Sequence, residues 1–120
     1  MATALHYPHP TGVDAAMQIA FVEDALGLSD SDLAKLFAVK RQAVAGWRKS
    51  GLPAERAAGM DRLVELTQFM QRRLVPARIP TIVRTAARGL RGKTMLAVLS
   101  SDGVEPIYRY FAQLASYANT

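Results

Sequence analysis

The sequence predicts an all-α fold. No stretch of its 120 residues alternates apolar and polar side chains between turn signals, as a hairpin strand would. Apolar residues instead recur at the three- and four-residue spacings of an amphipathic helix. The segments that carry them are bracketed by helix punctuation, with Asp, Ser or Thr near the start and Gly, sometimes with Pro beyond it, at the end.

The elements follow in order. "HYPHP" holds two prolines and both histidines and lacks periodicity, so residues 1–13 read as an extended, poorly ordered tail. His6 and His9 make two metal ligands without a third, and no metal site is expected. Asp14 is placed to cap a first helix that carries Met17, Ala20, Phe21 and Leu26 on its apolar face and stops at Gly27. A second helix opens at the Ser/Asp cluster of 29–32, with Leu33, Leu36 and Phe37 on one face. After a break at Ala38-Val39, a third helix covers about 41–49, and "SGLP" ends it.

A longer helix then runs to about Leu74. Its stripe is Leu63, Leu66, Met70 and Leu74, with Phe69 beside it, and Gly59 is expected to bend or split it. "VPARIP" is a joint, "TIVRT" makes one helical turn, and "AARGLRG" is a loop. Thr94 caps a short helix, "MLAVLS", that Asp102-Gly103 ends. The last helix starts near Val104, with Pro106 in its first turn. Its apolar face is Val104, Ile107, Tyr108, Phe111, Leu114, Ala115 and Ala118. The length fits one domain or two small modules sharing a core. The expected parts are the tail, residues 14–75, and residues 76–120.

Composition narrows the function. Half the residues are hydrophobic and a fifth are charged, as in a globular chain. No apolar run is long enough to span a bilayer, and the start lacks the pattern of a signal peptide, so a cytoplasmic protein with no membrane partner is expected. The absence of cysteine excludes disulfides, thiolate metal sites and a cysteine nucleophile. The net charge of +5 is unevenly spread. Residues 1–39 carry one Lys and five acids, a net −4. Residues 40–62 carry six Lys/Arg and two acids, a net +4, and residues 63–92 carry six Arg and one acid, a net +5. A central basic block is the footprint of a polyanion binder. A solvated, Arg-rich helix face has the same composition.

Residues 29–51, "SDSDLAKLFAVKRQAVAGWRKSG", sharpen this choice. A helix-turn-helix needs a small residue where the second helix crosses the first, and Ala34 is there. The turn needs a residue with little side chain, and Ala38 supplies one, although its left-handed geometry favours glycine. Phe37, Val39, Val44 and Trp47 have the spacing of the inter-helix core. Lys40, Arg41, Gln42, Ala45, Gly46 and Lys49 then face outward, with Arg48 at the edge. Arg41 suits a bidentate pair to guanine, Gln42 one to adenine, and Ala45 a thymine methyl. Lys40, Arg48 and Lys49 suit phosphates, and Arg56 and Arg62 extend that track. An amphipathic hairpin in a helical core would show the same two apolar faces, with Trp47 as its anchor.

Residues 14–75 resemble the helix-turn-helix domain of Xre-type (Cro/repressor-like) regulators. "LAKLFAVKRQAVAGWRKSGLP" is similar to their "LAxLxGVSxxxVxxWxxGxxxP" form, with Lys40 at the usual Ser or Thr cap. Residues from Ile79 onward, "IPTIVRTAARGLRGKTMLAVLSSDGVEPIYRYF", resemble the Xre/MbcA/ParS toxin-binding domain of antitoxins. Met95 stands where that family often has proline, and Ala97 where it often has an acid. The resemblance implies a type II antitoxin that dimerises, binds operator DNA as an autorepressor, and occludes a toxin, often one of the RES type that attacks NAD. The toxin-binding residues so implied are Arg84, Gly92, Lys93 and Thr94. Tyr110 and Tyr117 join them because they lie off the apolar stripe, where exposed tyrosines mark interfaces or lie over Arg stems.

No catalytic set is expected. Glu23 and Asp24 are adjacent and diverge on a helix, Asp30, Ser31 and Asp32 read as capping groups, and the Gly92-Lys93-Thr94 run lacks the spaced glycine of a phosphate loop, since position 87 is Ala. The chain is expected to be no enzyme and to need no cofactor. The alternative to the antitoxin is a free-standing helix-turn-helix regulator with a C-terminal dimerisation module. A helical interaction module without DNA is the third possibility.

Overall fold

A computed structural model describes residues 12–118. The tail, with His6 and His9, lies outside the described residues. The described chain is all-helical, with no strand: α1 is Gly12–Leu26, α2 Asp30–Leu36, α3 Arg41–Ser50 and α4 Ala54–Arg73. A 3₁₀ turn, Pro76–Arg78, leads into the single-turn α5, Ile79–Ile82. A second 3₁₀ turn, Arg88–Leu90, precedes α6, Met95–Asp102, and α7, Glu105–Ala118.

α1 begins two residues before Asp14, which therefore lies in the first turn and not at the cap. Its buried face is Ala15, Ile19, Val22 and Leu26. Met17, expected on that face, is 66% exposed, and Ala20 is exposed with it. α1 carries apolar residues on every side, so spacing alone does not select the inward stripe. Ile19 and Val22 extend the three- and four-residue rhythm from Ala15 to Leu26 without a gap. Gly27 ends the helix at φ 70°, as expected, and has a second duty. A Cβ there would stand 2.7 Å from Pro80 Cβ, so only glycine lets α5 pack this closely on α1.

α4 runs unbroken through Gly59. The ring of Phe37 lies over this glycine, and an added Cβ would meet Phe37 Cε1 at 3.3 Å. The glycine serves packing and does not split the helix. Met60, Leu63, Leu66, Thr67 and Met70 form the buried face of α4. Thr67 donates its hydroxyl to the Leu63 carbonyl at 2.7 Å and so buries no unmet polar group. Farther along, Phe69 meets Tyr108 and Phe111 of α7 edge to face, with centroids 5.0 and 5.5 Å apart.

One contiguous hydrophobic core joins all of this. Ile79, Val83, Leu90, Met95, Val98, Leu99, Ile107 and Phe111 from the C-terminal third belong to the same cluster as Ile19, Leu26, Leu33 and Val44. α5 packs on α1, and α6 packs on α2. Arg84, just past α5, donates from one guanidinium nitrogen to the Gly27 carbonyl and to Asp32 of α2, both at 2.8 Å. The loop before α6 is closed by backbone bonds, Ala87 N–H to the Lys93 carbonyl and Gly92 N–H to the Ala87 carbonyl. Among the described residues no helix is long and apolar enough to cross a membrane.

Candidate nucleic-acid interface

The unit α2–turn–α3 is fixed from both ends. Ser29 accepts from the Asp32 N–H at 3.1 Å, and the Asp32 carboxylate accepts from the Ser29 N–H at 3.0 Å. This reciprocal box sets where α2 starts. At the other end Ala38 N–H reaches the Lys35 carbonyl and Val39 N–H the Ala34 carbonyl. That paired closure is a Schellman turn, which requires a left-handed residue. Ala38 fills that position at φ 56°. Arg56 of α4 then donates to the Phe37 carbonyl at 2.9 Å and holds the turn from outside. Its guanidinium is therefore engaged within the fold, beside the track along DNA expected of it.

The crossing is as the spacing requires. Leu33 and Ala34 of α2 and Val44 and Trp47 of α3 are buried. Phe37 meets Trp47 edge-on, 5.5 Å between centroids at 85°. With that face spent on the core, the opposite face of α3 is open. Lys40, Arg41, Gln42, Ala45, Gly46 and Lys49 are all exposed. Lys40 stands at the N-cap without a side-chain cap, and the Ala43 N–H closes the first turn on the Lys40 carbonyl at 2.9 Å. A Cβ at Gly46 would meet nothing within 4 Å. Neither packing nor backbone geometry requires glycine there. A groove of about 410 Å³ separates Ser29, Asp30 and Ser31 from Arg41, Gln42 and Ala45.

Arg48 is placed differently from its exposed neighbours. It forks onto both oxygens of Asp30, with Nη1 2.8 Å from Oδ2, and Nη2 also meets Glu23 Oε1 at 2.8 Å. The expected phosphate contact is thus, in this structure, the brace that ties α3 to α1 and α2. The charge-assisted bonds from Arg48 hold the Asp30 carboxyl down at about 2. Burial pushes Glu23 up to about 7, with the nearby Asp30 adding to the effect. Glu23 Oε2 is buried without a hydrogen-bond partner. Among the described residues, Lys40, Arg41 and Lys49 form no ion pair, although Arg41 is near enough to Asp30 to help hold its carboxyl down.

The C-terminal candidates divide. Arg84 is the tether to Gly27 and Asp32, and Thr94 caps α6 by accepting from the Ala97 N–H at 3.0 Å. Both have structural roles. Gly92, at φ 79°, and Lys93 are exposed on the loop. Tyr117 is 74% exposed, whereas Tyr110 is half-buried. Tyr110 packs edge-on to Phe111, and its ring lies against Gly89. Leu114, expected on the buried stripe, is instead 43% exposed. Arg84, Gly92 and Thr94 do not share the grooves that Lys93, Tyr110 and Tyr117 line. Arg88, Arg91 and Arg109 do line them, and spacing along the chain gave no reason to select these three. Among the described residues no cluster of His, Asp and Glu is arranged to hold a metal ion. Compared with known proteins, the chain matches no family model, no curated protein and no solved structure.

Proposed function

We propose that the chain is a DNA-binding antitoxin: a dimeric autorepressor whose α2 and α3 form a Cro/repressor-like helix-turn-helix and whose C-terminal third neutralises a cognate toxin. The observation that carries the DNA reading is the split of α3. Val44 and Trp47 are buried, while Arg41, Gln42, Ala45 and the unrequired Gly46 lie on one open face flanked by Lys40 and Lys49. A helix of that kind offers base-reading groups at its centre and phosphate-binding groups at its rim. Two such helices in a dimer address half-sites about one DNA turn apart. The toxin reading rests on the resemblance of residues 79–111 to a family whose toxins are often of the RES type.

A second reading is favoured by Arg84 and Thr94, whose polar groups serve the fold. It makes the C-terminal third a structural part of a free-standing regulator. One experiment on each half separates the cases. Titration of the DNA upstream of the gene, followed by anisotropy at several salt concentrations, should show affinity falling with salt. Arg41→Ala should cost ~1–3 kcal/mol at one base position, and Lys49→Ala should weaken all sequences alike. Affinity indifferent to salt and to Arg41→Ala removes the DNA function. Co-expression with the neighbouring open reading frame tests the other half: rescue from a lethal product supports the antitoxin, and no rescue leaves the regulator.

A further inference from the structure

Tyr110 is a fixed ridge between two unlike grooves. A methyl group on Gly89 would stand 2.6 Å from Tyr110 Cε1 and 2.7 Å from Cδ1, so the ring lies directly on the glycine backbone. Phe111 supports it edge-on at 5.7 Å between centroids. On one side lies a groove of about 670 Å³, with Ile82, Met95, Leu114 and Tyr117 in its walls. Leu114 and Tyr117 are the two large apolar side chains most exposed along α7, and covering such a surface is favourable. On the other side lies a groove of about 380 Å³, lined by Arg91, Lys93 and Arg109 against the single carboxylate of Asp102. Among the described residues these three cations form no ion pair. Gly89, Tyr110 and Gln113 border both grooves, so the two make one continuous surface.

We propose that this surface docks an acidic segment of a partner protein, one that seats a large apolar side chain beside Leu114 and Tyr117 and sets carboxylates against Arg91, Lys93 and Arg109. The inference rests on reading the C-terminal third as a protein-binding module, and it names the chemistry of what is bound. Charge complementarity selects an acidic partner. The apolar half selects a peptide over duplex DNA, because its walls include the aliphatic Ile82, Met95 and Leu114 and a duplex keeps its bases stacked inside. Tyr and Arg, the residue types enriched at binding hot spots, both line this surface.

The test is selection of a random peptide display library on the full chain, followed by binding of the enriched peptides in solution. The expected peptides carry net negative charge and at least one large apolar residue. Their affinity should fall about tenfold or more in Arg91→Glu/Arg109→Glu and in Leu114→Asp. It should not change in Arg41→Ala. All the altered residues are exposed, and circular dichroism checks that each variant folds. Enriched peptides without acidic bias, or binding that survives in both variants, overturn the proposal. So does displacement of the peptides by short duplex DNA. A dimer that dissociates in these same variants overturns it too, because the surface is then covered by a second copy. Acidic peptides bound here without rescue of any toxin leave the docking chemistry standing and remove only the toxin. Rescue that survives both variants removes only this docking surface.

Discussion

The guanidinium of Arg48 on α3 grips the carboxylate of Asp30 at the start of α2, and the same guanidinium reaches Glu23 on α1. Three helices thus meet at one cation, directly beneath the outward face of α3.

This makes Arg48 a brace, and its loss distinguishable from the loss of a phosphate contact. Arg48→Ala should destabilise the protein by ~1–2 kcal/mol, measured by urea denaturation, because part-buried Asp30 and Glu23 lose the guanidinium they share. Asp30→Asn should add little in the double variant, since the two residues act as one unit. Lys49→Ala should leave stability unchanged and, on the DNA reading proposed above, reduce the salt dependence of binding. Equal denaturation midpoints for Arg48→Ala and the parent would show that the brace is not holding.

The same cluster sets a pH dependence whose sign is opposite for its two acids. Glu23 is raised from 4.5 to about 7 in the folded chain, so the proton is bound more tightly there than in the unfolded chain. Its contribution is present at low pH and is lost as pH rises from about 4.5 through 7. Asp30 is lowered from 3.8 to about 2, so its contribution is present above the first value and lost as pH falls toward the second. Glu23→Gln should therefore raise the melting temperature at pH 8, by an amount on the order of 1–3 kcal/mol in stability. It should make little difference well below pH 4.5, where Glu23 is protonated in both states. A gain at low pH and none at high pH would reverse the assignment.

Ala38 occupies a left-handed position that costs an L-residue about 1–2 kcal/mol. Ala38→Gly relieves that strain and loses some of the gain to the greater freedom of glycine in the unfolded chain. The expected net effect is stabilisation of roughly 0.5–1 kcal/mol, seen as a higher denaturation midpoint with an unchanged slope. A lower midpoint would mean that the methyl group of Ala38 is doing packing work in the turn.

Gly46 gives a two-sided expectation. An alanine has open space there, so Gly46→Ala should stabilise α3 by ~1 kcal/mol. On the DNA reading proposed above, the same methyl group narrows the gap between α3 and a DNA groove, so affinity for the operator should fall while stability rises. Stability and affinity rising together would place Gly46 away from the DNA.

Much of this was readable in the sequence, for local reasons. Ser29 and Thr94 cap helices that begin within three residues of them, and Gly27, Gly51 and Gly103 end theirs in adjacent turns. The outward face of α3 follows from the contrast between Val44 and Trp47 and their polar neighbours. What was not readable depends on partners far along the chain or on the absence of contrast. Arg48 has the composition of a phosphate contact, and only the fold brings Glu23 and Asp30 to it, 25 and 18 residues away. Tyr110 has the spacing of an exposed residue, and only the missing side chain of Gly89 gives its ring a seat. In α1 the inward stripe is hidden because Met17, Ala20 and Phe21 are as apolar as Ile19 and Val22.

The shared core has a genetic consequence. Ile107 and Phe111 are buried in the same cluster as Leu33 and Val44. A stop codon or frameshift ahead of Met95 would strip the support from beneath α2 and Trp47's neighbours, and so silence the whole chain at once.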